Sequence, residues 1–207
     1  VPALGATGEV LDSLASCSGR IPVVSVIIGT VAGTSALAAG LSDFVILESE
    51  RGRMFMRSPW LIPEIASGEL EESDLGGAKA HSSRSGVACL VAEDEQHAFE
   101  LANHILSYLP DNTDSIPPRF SPTDDPLRLC EELSTLVPND PNRPYDMRGV
   151  IETVVDDSTF MELFPDYAEN IIIGFSRLDG QPIGVIGNQP SVLAGCLDID
   201  ASIKAAR

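Results

Sequence analysis

Residues 21–42 read IPVVSVIIGTVAGTSALAAGLS, a stretch without one charge that carries Gly29 and Gly33 at the spacing of a membrane-helix dimer motif. Its first part is not helical in character. Val23, Val24, Val26, Ile27 and Ile28 are β-branched and lie between Pro22 and Gly29, which predicts a buried strand. From Ala32 to Leu41 almost every residue is small, as in a closely packed helix, and DFVILE at 43–48 reads as a second strand. A spanning helix would have to absorb Pro22, three glycines and the β-rich half, and would leave that second strand without a partner. The stretch therefore predicts a strand, a Gly-rich turn and a helix, with no membrane insertion.

Working outward, MFM at 54–56 predicts a short strand, and PWLIPEIASG at 59–68 a short helix that Pro63 kinks or ends early. SGVACLVAED at 85–94 reads as turn then strand. The run EDEQHAFELANHILSYLP at 93–110 puts Ala98, Leu101, Ala102, Ile105 and Leu109 on one helical face. This alternation predicts α/β architecture. Between Pro110 and Pro144 fall eight of the fifteen prolines, around one predicted helix, PLRLCEELSTLV at 126–137, and this stretch reads as a linker. Beyond it, RGVIETVVDD at 148–157 reads as helical. NIIIGFSRLDGQPIGVIGNQP at 170–190 gives two strands joined by the hairpin signal Asp179–Gly180, and DIDASIKAAR at 198–207 a helix capped by Asp198 or Asp200. The expected organisation is a first domain over 1–109, a Pro-rich linker over 110–146 and the start of a second domain over 147–207.

At 207 residues and 43% hydrophobic the chain can bury a sizeable core. A net charge of -18 repels phosphate backbones and anionic lipid, which argues against nucleic-acid binding and electrostatic membrane docking. An anionic ligand needs local help. Cys17, Cys89, Cys130 and Cys196 form no CxxC pair, which argues against a zinc site and a disulfide framework and fits a reducing, cytoplasmic compartment. No signal peptide is visible, and a start at Val1 points to a processed chain or a fragment.

Side chains fit for acid–base work are few. His97 and His104 sit seven apart on the acidic helix without a third metal ligand, and His81 follows DLGGAKA in a polar, Gly-rich loop. Neither a GxSxG elbow nor a P-loop is present. What remains is main-chain chemistry. In GTVAGTSALAAG at 29–40, a strand ending in a Gly-rich turn that opens a helix presents unpaired amides able to hold an oxyanion or enolate. Small residues at Ala32, Gly33, Thr34 and Ser35 let a carbonyl approach that main chain; tight helix packing is the other reading of the same pattern.

ELEESDLGGAKAHSSRSGVA at 69–88, YDMRGVIETVVDD at 145–157, FMELFPDYAENIIIGFSRLDGQPIGVIGNQP at 160–190 and GCLDIDASIKAAR at 195–207 together resemble the carboxyltransferase β subunits of biotin-dependent acyl-CoA carboxylases of the acetyl-/propionyl-CoA carboxylase type. The same motifs occur in carboxyltransferase subunits of sodium-pumping acyl-CoA decarboxylases. The resemblance implies a crotonase-like α/β fold, a spiral of ββα units in two related domains. It also implies transfer of CO2 between carboxybiotin on a carrier protein and the α-carbon of a short-chain acyl-CoA, with backbone amides stabilising the oxyanions and no metal in this chain. A biotin carboxylase and biotin carrier subunit are the implied partners, and a homo-oligomer, the family hexamer, the implied assembly. On that resemblance the first oxyanion hole falls on the backbone of Gly33 and Thr34, with Ala32 and Ser35 beside the substrate.

The resemblance also marks departures. Thr34 stands where a second glycine is usual, Cys89 where many relatives have histidine, and Arg57–Ser58 where Thr–Gly is usual before Pro59. It implies further that a Gly-rich CoA-binding segment before Val1 and the later half of the second domain lie outside the chain, so that this chain alone is expected to be incomplete. The alternatives to a carboxylase are a decarboxylase subunit running the transfer toward biotin and a noncatalytic assembly subunit of the same fold.

Overall fold

The computed structural model describes residues 2–122, 124–140 and 142–207. The chain divides into two compact units, Val1–Ile116 and Pro117–Arg207. Within the first, helix α1 (Pro2–Cys17) leads into β1 (Val24–Ile27), β2 (Thr30–Ala32), α2 (Thr34–Gly40), β3 (Phe44–Glu48) and β4 (Arg53–Phe55). Three short helices follow, α3 (Pro63–Ala66), α4 (Glu72–Gly76) and α5 (Ala78–Ser83), then β5 (Leu90–Ala92) and α6 (Glu95–Tyr108). The first strand of each repeat joins one parallel sheet in the order β1-β3-β5, and the second strands β2 and β4 pair in a small parallel sheet of their own. A chain that alternates between two sheets and returns through helices builds a ββα spiral.

Local chemistry explains each step. Ile27, Val45, Leu47 and Met54 point into one core, where Ala36 and Ala39, one helical turn apart, let α2 lie close. Ile46, on the opposite face of β3, is also fully buried. The β3–β4 turn is held by Glu48, whose carboxylate accepts the Arg51 N–H at 2.6 Å. A side chain at Gly52 would collide with the Glu48 carbonyl and come within 2.7 Å of the Ile27 carbonyl. Asp94 caps α6 by accepting the His97 N–H at 2.8 Å, a contact worth about 1 kcal/mol. Ala98, Ala102, Ile105 and Tyr108 form the buried face of that helix.

The second unit contains α7 (Leu133–Leu136), α8 (Met147–Val154), the antiparallel sheet β6 (Met161–Leu163), β7 (Ile171–Leu178) and β8 (Gln181–Asn188), and α9 (Ile199–Ala206). Asp179 and Gly180, at φ 50° and 74°, make the expected two-residue hairpin turn. Ile151 and Val155 of the α8 region pack on Ile172, Ile183 and Val185. Asp198, not Asp200, caps α9 by accepting the Ala201 N–H.

Several expectations are corrected. The 126–137 helix shrinks to Leu133–Leu136, because Leu127 and Leu129 are exposed and Arg128 and Cys130 turn aside to bond carbonyls at the end of α8. Residues 59–68 form a 3-10 turn and α3 separated by extended Ile62, since Pro63 restarts the helix at its first position. A strand, β2, intervenes between Gly29 and α2, so Ala32 is a sheet residue.

Candidate active site

The β2–β4 ladder pairs Ala32 with Phe55 and is closed by the Gly33 N–H, which donates to the Phe55 carbonyl at 2.9 Å. Gly33 has φ 63° and ψ -127°, a conformation open to glycine and strained for other residues, and it turns the chain from strand to helix. Its carbonyl accepts the Leu37 N–H at 3.0 Å, the first bond of α2. Thr34 and Ser35 occupy the first two helical positions, whose amides have no acceptor inside a helix, and both residues are exposed. Of the four predicted positions, Gly33 thus shapes the turn with its own amide already engaged, Thr34 and Ser35 are exposed at the start of the helix, and half-buried Ala32 lies in the sheet.

Behind the turn, three features converge on β4. Gly76 leaves room for Phe55: a Cβ there would clash with the phenyl ring and lie 2.7 Å from the Met54 carbonyl. Gly77 forms an isolated bridge with Arg53, and a Cβ there would meet the Ser73 carbonyl at 2.5 Å. His81 lies on α5 and not in a loop, a correction that follows from Gly77 capping that helix in extended conformation. Its Nε2 is 3.0 Å from the Met54 carbonyl, which can only accept, so Nε2 carries a proton and donates to the strand, while Nδ1 lies 2.9 Å from the Ser85 hydroxyl. The sequence signal for this cluster was the four-residue spacing from Gly77 to His81, one turn of a helix whose cap and histidine address the same strand.

The remaining polar candidates have structural partners. His97 Nδ1 accepts the Glu93 N–H at 3.2 Å, and His104 Nε2 lies 3.1 Å from the Tyr108 hydroxyl. Among the described residues, no group of three or more His, Cys, Asp or Glu could hold a metal ion. Cys89 is buried, with its thiol 3.2 Å from the Val45 carbonyl. In the second unit, Gln189 of IGNQP is fully buried, accepting the Met147 N–H at 3.0 Å and donating to Asp146 at 2.6 Å. Burial pushes the Asp146 carboxyl up, but the Gln189 amide, the Arg148 N–H and the Arg148 charge outweigh it and hold the group below its usual range. Lys204 is fully buried against the Tyr167 and Ala168 carbonyls, and burial lowers its pKa to about 8. An open groove of about 540 Å³ lies between Arg128–Leu136 and α8, but its arginine is spent on the Thr153 and Val155 carbonyls and on Asp124.

No helix among the described residues is long and apolar enough to cross a membrane. The carboxyl transferase domain family matches residues 1–207. The chain is 41% identical over 207 residues to the propionyl-CoA carboxylase carboxyltransferase subunit of Haloferax mediterranei, covering all of this chain and 40% of that protein. It is 42% identical to the methylmalonyl-CoA decarboxylase subunit alpha of Veillonella parvula, again over its full length and 41% of the relative. The chain thus spans about two fifths of the length of these curated relatives. Among solved structures, the transcarboxylase 12S hexamer with methylmalonyl-CoA and methylmalonic acid bound superposes with a TM-score of 0.91 at 36% identity, covering 98% of this chain and 39% of that one. The fold is the crotonase-like one expected from the resemblance. A family match along its whole length, joined to this fold, makes the chain a member of the carboxyl transferase domain family.

Proposed function

We propose that the chain is part of a biotin-dependent acyl-CoA carboxyltransferase that moves CO2 between N1 of carboxybiotin, a substrate delivered on a carrier protein, and the α-carbon of a short-chain acyl-CoA. The family match over the whole chain carries this reading. The Gly33 turn supplies the chemistry in this chain: its backbone holds the strand-to-helix reversal, and the Thr34 amide, with Ser35 beside it, donates to the thioester oxygen as enolate charge develops. Ala32 fixes the approach by ending β2 in register with Phe55. Donors of this kind need no titrating side chain, which accords with a stretch from 21 to 42 that holds no charge. A biotin carboxylase and biotin carrier protein as partners, a cytoplasmic setting and a homo-oligomer like the transcarboxylase hexamer belong to the same reading.

The test is acyl-CoA-dependent carboxyl exchange with free biotin by the complete protein that carries this chain, using malonyl- and methylmalonyl-CoA as donors. Transfer from at least one of them is expected, and none from any short-chain acyl-CoA would overturn the reading. A second reading, a decarboxylase subunit passing CO2 to biotin, is favoured by the 42% identity to the Veillonella subunit. Net flux toward biotin in the assembled complex, coupled to a membrane subunit, distinguishes it.

A further inference from the structure

We infer that His81 is a positioning residue for the Gly33 turn, acting through β4; the inference rests on the carboxyltransferase reading of that turn. The link is a short chain of main-chain contacts. His81 Nε2–H holds the Met54 carbonyl at 3.0 Å, and the next carbonyl along β4, that of Phe55, accepts the Gly33 N–H at 2.9 Å. Met54 is in register with Val31 and Phe55 with Ala32, so movement of β4 is movement of the residues leading into the turn. Gly76, which has no Cβ to meet Phe55 and the Met54 carbonyl, and Gly77, bridged to Arg53, seat the α4–α5 junction against the same strand. The Met54 carbonyl, which can only accept, fixes the proton on Nε2, and the Ser85 hydroxyl 2.9 Å from Nδ1 holds the ring in plane for that bond. His81 touches no reacting atom in this arrangement. It keeps the Phe55 carbonyl aimed at Gly33, and thereby leaves the Thr34 amide pointing outward.

The experiment combines hydrogen exchange over residues 30–37 and 53–57 with steady-state kinetics, on the complete protein that carries this chain. In His81→Ala, exchange at Gly33 should speed up by about tenfold or more while β1, β3 and β5 stay protected, and kcat should fall by about ten- to a hundredfold with acyl-CoA KM little changed. His81→Gln, whose amide can still donate to Met54, should restore both. Unchanged exchange at Gly33 in His81→Ala, or failure of the glutamine to restore it, overturns the inference. Should the alanine variant not fold, Ser85→Ala, which frees the ring at Nδ1, must show a smaller increase at Gly33; no increase also overturns it. Gly33→Ala separates the two levels. If it retains full transfer activity, the turn reading fails, while the exchange data still decide whether His81 positions the strand.

Discussion

The two units reach defined geometry by different means. In the first, main chains approach one another where glycine removes the side chain: Gly52 against the Glu48 and Ile27 carbonyls, Gly76 against Phe55. In the second, buried polar side chains hold loops by bonding their backbones: Asp156 accepts the Gly180 N–H at 2.7 Å, Asn170 holds the Cys196 carbonyl, and Gln189 and Lys204 act likewise. Of the buried polar residues, Glu48 and Ser82 lie in the first unit and Asp156, Asn170, Ser176, Arg177, Gln189 and Lys204 in the second. Glycine also matters in the second unit, where Gly174 lies against the Met161 carbonyl across the sheet and Gly180 turns the hairpin against the Phe120 backbone, but the Gly180 amide is committed to Asp156 and does not face outward. A unit organised by close backbone contact can present amides as its reactive groups; one organised by buried side chains has most of its polar capacity committed.

Breaking the first kind of contact should have the largest effect. Gly52→Ala puts a Cβ among three backbone atoms that cannot yield separately, and should cost about 3 kcal/mol in denaturant unfolding, assigned by exchange to the first unit. Next comes Gln189→Leu, which strands the Met147 N–H and removes a donor from Asp146, for about 2 kcal/mol read in the second unit.

The pH test sharpens the same contrast. Lys204 has a folded pKa of about 8, lowered by burial from its ordinary value near 10.5, so between those values the unfolded chain holds more protons than the folded one. Unfolding free energy contributed by this group therefore rises with pH from about 8 to about 10.5 and is flat below; Lys204→Met should flatten the rise in the second unit and leave the first unchanged. The smallest stability effect is expected from Thr34→Gly, about 0.3 kcal/mol, yet it should raise turnover by clearing the Cβ from the outward amide. An unchanged or lower rate would count against Thr34 as the donor.

Much of this was legible in the sequence where one physical signal dominated. The β-branched run before Gly29 became β1, the apolar face of residues 95–108 became the buried side of α6, and Asp179–Gly180 made its hairpin because both residues tolerate positive φ. Other elements depended on partners distant in sequence. β2 has only three residues and becomes a strand by pairing with Met54 and its neighbours, a contact no local pattern announces. The Gly76–Gly77 pair reads locally as flexibility, whereas Gly76 admits Phe55 and Gly77 lets the chain turn tightly against Ser73. The 126–137 segment carries helical spacing but finds no apolar surface, so propensity alone did not hold it. At the site, Gly33 and Thr34 came from resemblance; that Gly33 spends its amide on Phe55, and that His81 bonds the Met54 carbonyl, depends on contacts more than twenty residues apart that no local pattern carries.

The central claim is that the Gly33 turn holds main-chain donors for a thioester oxyanion. It is tested most directly by carboxyl exchange between acyl-CoA and free biotin in the complete protein and its Gly33→Ala variant. A Cβ at Gly33 meets no atom within 4 Å, so the substitution acts through backbone strain of about 1–3 kcal/mol at φ 63° rather than through a clash. The account predicts a folded variant whose kcat falls by about a hundredfold or more with acyl-CoA KM changed only a few-fold, the signature of a donor lost in the transition state. A folded Gly33→Ala variant that exchanges carboxyl groups at the parent rate would contradict it.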